Sequence, residues 1–250
     1  QFTGSTAAGR HVGQACGKHL KKVSLELGGK NALLILDDAD LELAVNNAVW
    51  GTFLHQGQIC MATGRILVQR RLHDAFVERL LAKVASLRAG DPWADPEVLV
   101  GPLINAGQRD HCHRIVQAAI AAGAQLAVGG GYDGLVYQPT VLTAVAADNP
   151  AFTEEIFGPV AVVTAFDSDQ DGIALANAGD YGLSMGVISN DVGRVLAFAD
   201  RLQAGLLHIN DQTVVDDVVQ PFGGVRASGN GTSVGGLANP EQFTHWQWLT

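Results

Sequence analysis

The sequence predicts an α/β fold in which a largely parallel sheet is flanked by helices. Short apolar runs alternate along the chain with longer segments that carry apolar residues at helical spacing. Chains that alternate in this way bury a parallel sheet between layers of helices. The chain has 250 residues, of which 47% are hydrophobic and 30 are glycine, so it is long enough for a sizeable core and rich in turns.

Each predicted helix combines a start or stop signal with apolar residues at helical spacing. Ser5, Asp40 and Asn105 are of the types that cap helix N-termini by accepting backbone N–H groups. Gly90 and Gly205 follow the last apolar positions of two other segments, where glycine commonly ends a helix. The helices predicted in this way are residues 5–19, 40–53, 73–88, 105–123, 170–178 and 191–204.

The predicted strands are short runs rich in Val, Ile and Leu that are bounded by turn-forming residues. They are residues 23–27, 32–36, 66–68, 125–128, 139–145, 160–166, 185–188 and 206–209. A further segment, residues 242–250, alternates apolar and polar side chains around Trp246 and Trp248. This alternation predicts an exposed strand that is available to pair with another chain.

Composition excludes several classes of partner. The formal net charge is −9 and no basic run occurs, which argues against binding to nucleic acid or to an anionic membrane surface. No apolar run approaches the roughly 18 residues that span a bilayer. The three cysteines form no CxxC pair and so predict a reducing, cytoplasmic compartment. We predict no metal site, because the adjacent His111, Cys112 and His113 point in different directions on a helix.

Cys60 is the strongest candidate for a reactive side chain. It follows an apolar helical segment and lies in a short polar turn that contains Gly57 and precedes a strand. A thiol at such a junction can be exposed on a rigid backbone, and its thiolate is a good nucleophile. The alternative is a small buried hydrophobe, which is the usual role of a single cysteine and which this segment alone favours.

Glu26 is a candidate general base. It lies between Leu25 and Leu27 in a predicted strand, and a carboxylate in apolar surroundings tends to have a raised pKa. The alternative is a solvent-facing side chain on an edge strand. Gly28 and Gly29 follow directly and permit a sharp turn or a close backbone approach.

Five motifs occur in the order and approximate spacing that is typical of the aldehyde dehydrogenase superfamily. They are FTGS at residues 2–5, ELGGKN at 26–31, GQIC at 57–60, EEIFGP at 154–159, and PFGG at 221–224 followed by SG at 228–229. The resemblance covers the whole chain, which looks like the C-terminal half of such an enzyme. It implies a remnant of the dinucleotide-binding domain at residues 1–28, a catalytic domain at 29–231, and a C-terminal segment with an oligomerisation strand at 232–250.

The resemblance assigns the chemistry to two residues. Cys60 matches the nucleophile that attacks the aldehyde, and Glu26 matches the base that activates the thiol or the deacylating water. The implied reaction is oxidation of an aldehyde to the acid through a cysteine thiohemiacetal and a thioester. The residue types suit this chemistry, which needs a nucleophile, a base and a donor for the oxyanion.

The resemblance also assigns cofactor contacts. Glu155 matches the carboxylate that binds the nicotinamide ribose, and Phe157 matches the ring packed near the nicotinamide. Gly4 and Ser5 match the turn near the pyrophosphate, and Leu27 is a further cofactor contact. The implied cofactor is NAD, with NADP not excluded, and the implied assembly is a homodimer or homotetramer.

A finer resemblance, over residues 53–65 and 208–213, is to the benzaldehyde and vanillin dehydrogenase branch. It implies an aromatic aldehyde as substrate, against which Ile59 or Met61 would pack, although both would also suit any apolar aldehyde. Alternatives are a coenzyme-A-acylating aldehyde dehydrogenase and a non-catalytic oligomerising piece. Because the family's first half is absent from the sequence, we expect residues 1–250 alone to be inactive.

Overall fold

A computed structural model describes residues 1–250. The strands are β1 (Phe2–Thr3), β2 (Leu25–Glu26), β3 (Asn31–Ile35), β4 (Thr63–Gln69), β5 (Gln125–Val128), β6 (Tyr132–Asp133), β7 (Val136–Tyr137), β8 (Thr140–Thr143), β9 (Val160–Phe166), β10 (Tyr181–Gly182), β11 (Ser184–Ile188), β12 (Leu206–Ile209) and β13 (Val225–Arg226). The helices are α1 (Thr6–Lys18), α2 (Leu41–Phe53), α3 (Arg70–Ala85), α4 (Ala106–Ala121), α5 (Pro150–Thr153), α6 (Asp169–Asn177), α7 (Val192–Ala199) and α8 (Ala238–Phe243). A 3₁₀ turn, Leu54–Gly57, follows α2.

A seven-stranded sheet forms the centre of the fold, with the strand order β12-β11-β3-β4-β9-β8-β5. Every pair in it is parallel except β5 with β8. Successive residues of a strand face opposite sides of a sheet, so both sides of β3 are buried. Leu34 packs with apolar residues of α4 to α7 on one side, and Leu33 packs with those of α2 and α3 on the other. The predicted α/β class with a mostly parallel sheet is confirmed.

The three predicted helix caps are also present. Ser5 accepts a hydrogen bond from the backbone N–H of Ala8 at 3.3 Å, and Asp40 accepts one from Leu43 at 2.9 Å. Asn105 accepts from the backbone of Gln108 at 2.9 Å. These side chains satisfy N–H groups that have no partner within the helix, which explains why their positions were visible in the sequence.

Three predicted helix boundaries differ from the structure by three residues or more, among them the end of α3, which lies at Ala85 instead of residue 88, and the last predicted strand is not formed within this chain. Helix α3 begins at Arg70 instead of residue 73, because β4 runs into it without a capping side chain. Helix α7 ends at Ala199, five residues before the predicted end. Of the predicted strand at 242–250, the first two residues lie in α8, and the remainder forms no helix or strand, because no other strand of this chain pairs with it. Pairing of this segment with a second chain stays a prediction.

The topology brings two connecting segments together. Strands β3 and β4 are parallel neighbours whose registered pairing begins at Asn31 and Thr63. The segments that precede them, residues 27–30 and 58–62, therefore lie at the same edge of the sheet. Strand β2, which ends at Glu26, pairs with β1 in a separate two-stranded sheet beside this edge. None of the helices is both long enough and apolar enough to cross a lipid bilayer.

Candidate active site

The turn that carries Cys60 is formed by an unusual backbone path. His55, Gln56 and Gly57 have φ angles of 48°, 58° and 67°, so three successive residues occupy the left-handed region where α2 ends. Glycine suits the last of these positions, because a Cβ there would lie 2.3 Å from the carbonyl oxygen of Gly158. The side chain of Gln58 then accepts a hydrogen bond from the backbone of Ile104 at 3.0 Å. These contacts place Cys60 at the start of the short turn before β4.

The Cys60 thiol is half-buried and lies between groups with opposing effects. Burial raises its pKa, and the carboxylates of Glu155 and Glu26 raise it further. The backbone N–H groups of Met61 and of Cys60 itself lower the pKa by hydrogen bonding. Because burial dominates, the thiol is not a thiolate by default at neutral pH, and its chemistry requires a nearby base.

Glu26 provides a buried carboxyl next to this turn. Its backbone is held by the pairing of β2 with β1 and by a bridge to Gly229, and the side chain is only 4% exposed. Neither carboxyl oxygen has a hydrogen-bond partner, and burial raises the pKa to about 7. The solvent-facing alternative for Glu26 is therefore wrong, and the effect expected from its apolar neighbours Leu25 and Leu27 is present. A carboxyl with this pKa can exchange protons near neutral pH.

Glu155 is held by the glycine turn that precedes β3. One of its carboxylate oxygens accepts a hydrogen bond from the backbone N–H of Gly29 at 2.8 Å. A Cβ at Gly28 would lie 2.3 Å from the other oxygen, so only glycine leaves room for the carboxylate in this position. Burial raises the pKa of Glu155, whereas the Gly29 N–H, Lys30 and His111 lower it.

Helix α4 fixes the segment that follows Glu155. The side chain of Gln108 donates to the carbonyl oxygens of Ile156 and Phe157 at 3.0 and 2.8 Å. His111 lies one turn further along, and its Nε2 is 3.0 Å from the carbonyl oxygen of Glu155. Phe157 itself has a φ of 53°. The side chain of Gln108 thus holds a turn that is distant in the sequence.

The adjacent side chains of His111, Cys112 and His113 do diverge, as their spacing on a helix requires. Cys112 is fully buried, whereas His113 Nδ1 lies 3.3 Å from the hydroxyl of Tyr137. No group of three or more His, Cys, Asp or Glu side chains in the structure is arranged to hold a metal ion.

Arg65 and Lys30 are buried cationic residues that lie beneath the site. The Arg65 guanidinium donates to the carbonyl oxygen of Lys30 at 2.9 Å and to three carbonyl oxygens at the end of α6. These carbonyls satisfy a charge that would otherwise be costly to bury. The Lys30 ammonium has no hydrogen-bond partner, and burial lowers its pKa to about 7. The hydrogen bond from Arg65 on β4 to the Lys30 carbonyl connects the segment before β3 to the sheet.

A cleft of about 820 Å³ joins most of these groups. Its walls include Gly4, Ser5, Leu27, Cys60, Glu155 and Phe157, which are six of the seven site residues predicted from the sequence. The seventh, Glu26, directly precedes Leu27 and is buried beside the wall. The cleft residues that sequence reasoning missed include Gln108, His111, Asp180 and Tyr181.

The two side chains that the sequence suggested as contacts for an aryl ring lie elsewhere. Neither Ile59 nor Met61 lines the cleft that contains Cys60. Met61 is buried, and Ile59 lines a separate cavity of about 20 Å³. In this structure they therefore give no support for a preference among apolar aldehydes.

Comparison with known proteins gives one family. A model of the aldehyde dehydrogenase family matches residues 1–249. Vanillin dehydrogenase of Amycolatopsis sp. is 52% identical over 250 residues, which are all of this chain and 51% of that protein. Benzaldehyde dehydrogenase [NAD(+)] of Pseudomonas putida is 48% identical over 249 residues, again with 51% of that protein covered. The chain thus spans about half the length of the curated relatives that it matches.

Solved structures agree with the fold. Betaine aldehyde dehydrogenase of Staphylococcus aureus in complex with NAD+ superposes with a TM-score of 0.92 at 36% identity, over 96% of this chain and 49% of that chain. Glyceraldehyde-3-phosphate dehydrogenase of Methanocaldococcus jannaschii complexed with NADP gives 0.91 at 36% identity, over 97% of this chain and 52% of that chain. The motifs, the fold and these similarities establish that the chain belongs to the aldehyde dehydrogenase family.

Proposed function

We propose that the protein containing this chain oxidises an aldehyde to the carboxylic acid, with Cys60 as nucleophile, Glu26 as general base and a nicotinamide dinucleotide as oxidant. One observation supports the proposal: a single cleft is lined by Cys60, Glu155 and the first residues of α1, and the buried Glu26 carboxyl lies close enough to the Cys60 thiol to raise its pKa. A nucleophile and a base with a pKa of about 7 are the groups that such a reaction needs.

The cleft suits the nicotinamide half of the cofactor. At one end lies the N-terminus of the 13-residue helix α1, with Ser5 as its cap, and helix N-termini favour phosphate groups. Glu155 offers carboxylate oxygens to ribose hydroxyls, and the Phe157 ring lines the same wall. The space that a Cβ at Gly28 would fill is occupied by the Glu155 carboxylate, so the glycine preserves this arrangement. We assign Gly4, Ser5, Leu27, Glu155 and Phe157 to cofactor binding.

The chemistry follows from the positions of the protein groups. Glu26 accepts the thiol proton, and the Cys60 sulfur adds to the carbonyl carbon of the aldehyde to give a thiohemiacetal. The backbone N–H of Cys60 is placed to stabilise the oxyanion that forms. When bound, the nicotinamide supplies the acceptor for the hydride that leaves this carbon, so that a thioester remains on Cys60. Glu26 releases the thiol proton to solvent and then takes a proton from water, whose oxygen attacks the thioester, and the acid leaves as the thiolate is regenerated.

An aromatic aldehyde is the substrate class that we propose. The support is the similarity, over all of this chain, to proteins named vanillin dehydrogenase and benzaldehyde dehydrogenase. Solved relatives hold either NAD+ or NADP. We propose NAD on the basis of the benzaldehyde dehydrogenase named for it.

The proposal is tested with the protein at its natural length and with residues 1–250 alone. Each is incubated with NAD or NADP and with matched aromatic and aliphatic aldehydes, and reduced cofactor is followed by absorbance. We expect turnover of benzaldehyde and vanillin by the longer protein, with kcat/KM about tenfold above that of hexanal, and none by the isolated chain. Absence of aldehyde oxidation by the longer protein would contradict the proposal, and acyl-CoA as the main product in the presence of coenzyme A would favour the acylating alternative.

Gly28→Ala is expected to weaken cofactor binding. The added Cβ would lie 2.3 Å from a carboxylate oxygen of Glu155 and would displace the carboxylate. Loss of a charged hydrogen bond to the ribose typically costs about 1.5 kcal/mol, so KM for NAD is expected to rise roughly tenfold. Gly17→Ala is a matched control, because a Cβ there meets no atom within 4 Å. Initial rates at varied NAD measure both variants, and an unchanged KM in Gly28→Ala would remove Glu155 from the proposed ribose site.

We also infer that the subunits associate as dimers or tetramers. Strand β12 is an edge of the central sheet and exposes Leu207 and Ile209, while Trp246 is 99% exposed in the C-terminal segment. Apolar groups in such positions are typical of surfaces that pair with another chain. Light scattering of the protein at its natural length tests this inference, and a monomer at micromolar concentration would contradict it.

A further inference from the structure

Three consecutive carbonyl groups of the Cys60 turn each accept a hydrogen bond from a buried side chain. The amide nitrogen of Asn31 donates to the carbonyl oxygens of Cys60 and Ala62, both at 2.8 Å. The hydroxyl of Thr213 donates to the carbonyl oxygen of Met61 at 2.7 Å. Asn31 is 2% exposed and Thr213 is 0% exposed. We call Asn31 and Thr213 the carbonyl clamp.

The carbonyl clamp is itself fixed by a third buried residue. The backbone N–H of Ser184 donates to the side-chain oxygen of Asn31 at 3.0 Å, which orients the amide so that its nitrogen faces the turn. The hydroxyl of Ser184 donates to the carbonyl oxygen of Thr213 at 2.7 Å. The Thr213 hydroxyl also lies 2.8 Å from that of Thr63. Strand β3, strand β11 and the segment after β12 thus hold one turn through a network with few alternative arrangements.

Peptide geometry connects these bonds to the thiol. A trans peptide is planar, so its C=O and N–H groups point in opposite directions. When Asn31 holds the carbonyl oxygen of Cys60, it also fixes the direction of the Met61 N–H, which belongs to the same peptide unit. That N–H is one of the two backbone groups that lower the pKa of the Cys60 thiol against the effect of burial. The orientation of the Cys60 carbonyl therefore determines how well the Met61 N–H stabilises negative charge at the sulfur. Thr213 acts one peptide further along: it holds the carbonyl of Met61, and the N–H of that peptide, on Ala62, donates to the carbonyl oxygen of Ile59 at 2.9 Å and closes the turn.

We propose that Asn31 and Thr213 are positioning residues for the nucleophile: Asn31 orients the peptide whose Met61 N–H faces the reacting sulfur, and Thr213 holds the next peptide of the same turn. This inference rests on the proposed function, because it takes Cys60 as the nucleophile. Neither residue lines the cleft. Their effect on the reaction is therefore exerted through the turn and not through contact with substrate or cofactor.

The experiment compares Thr213→Val, which has nearly the same shape but no hydroxyl, with Thr213→Ser, which keeps the hydroxyl. The matched control is Thr164→Val. Thr164 is another buried threonine, and its hydroxyl donates to the carbonyl oxygen of Val145 at 2.8 Å, away from the site. Each variant is made in the protein at its natural length. Two quantities are measured: the rate of Cys60 alkylation by iodoacetamide as a function of pH, assigned by peptide mass spectrometry, and kcat with KM for benzaldehyde.

In Thr213→Val we expect alkylation of Cys60 at pH 7 and kcat to fall about tenfold, with KM changed by less than about twofold. The pH midpoint of alkylation should move upward, because the sulfur loses backbone stabilisation. Thr213→Ser should stay within about threefold of the wild type, and Thr164→Val should lose thermal stability but keep the midpoint. If Thr213→Val does not fold, Asn31→Ser removes the other half of the clamp. The same changes in alkylation rate, pH midpoint and kcat are expected for it.

An unchanged alkylation profile and kcat in a folded Thr213→Val or Asn31→Ser protein would overturn the inference. An upward shift of the alkylation midpoint that Thr164→Val shares would also overturn it, because a general loss of stability would then explain the result. Failure of the proposed function has a different signature. In that case Cys60→Ser would remain active, whereas the alkylation profiles would still report whether the clamp acts on the sulfur.

Discussion

Replacing Cys60 with serine is expected to reduce aldehyde oxidation by at least about 10³-fold, because a serine hydroxyl is a far weaker nucleophile than a thiol near neutral pH. The substitution is small, and the turn around it is held by hydrogen bonds from the Asn31 side chain to main-chain carbonyl oxygens, which do not involve the Cys60 side chain. The fold should therefore persist while the covalent step is lost. Initial rates of NAD reduction with benzaldehyde, in the protein at its natural length, measure the effect.

Cys16→Ser is the matched control for this prediction. Cys16 is half-buried on α1 and does not line the cleft, so its replacement should leave the rate unchanged. Iodoacetamide labelling of the wild type adds an independent measurement, in which Cys60 should react before Cys112, whose burial raises the pKa to about 12. More than a tenth of the wild-type rate in Cys60→Ser, or faster labelling of Cys112, would contradict the nucleophile assignment.

The fold was largely predictable because its core strands are buried on both sides. Such strands appear in the sequence as short continuous apolar runs, of which residues 160–166 are an example that the structure reproduces as β9. The helix starts at Asp40 and Asn105 were predictable because capping depends on one side chain and its near neighbours. The C-terminal segment was not, because pairing as a strand depends on a partner edge that the local sequence does not specify.

The candidate site was predictable only where its groups belong to local motifs. Cys60 and Glu26 stand out through the turn and the apolar neighbours that surround them. Asn31, Thr213 and Gln108 do not, because each acts on a main-chain carbonyl that is between 29 and 152 positions away in the sequence. Hydrogen bonds between distant segments leave no periodic pattern, so only the three-dimensional structure identifies them.

Glu26→Gln is expected to separate the two halves of the reaction. The amide cannot accept a proton from water, so release of the acid should slow by about 10²–10⁴-fold. We expect a burst of reduced cofactor equal to the number of active sites, which is slower than in the wild type because the thiol also loses its base, followed by still slower turnover as the thioester accumulates. Stopped-flow absorbance measures the burst, and mass spectrometry of the quenched protein locates the acyl group on Cys60.

The pH dependence gives the same prediction a second test. In the wild type the Glu26 carboxyl has a pKa of about 7, so the fraction in the basic form and the rate of acid release should rise with pH through this value. Glu26→Gln should lose this rise, because its side chain does not titrate.

The direction of the stability change shows whether the loss of activity comes from unfolding. The pKa of Glu26 is raised in the folded chain from an ordinary value of 4.5, so ionisation favours the unfolded chain as pH rises between 4.5 and about 7. Glu26→Gln removes this penalty. Its melting temperature should equal that of the wild type below pH 4.5 and exceed it above pH 7. A variant that melts at a higher temperature at pH 8 yet turns over far more slowly has lost a base, not its fold. If the burst is absent and the wild-type pH profile is retained, a group other than Glu26 activates the water.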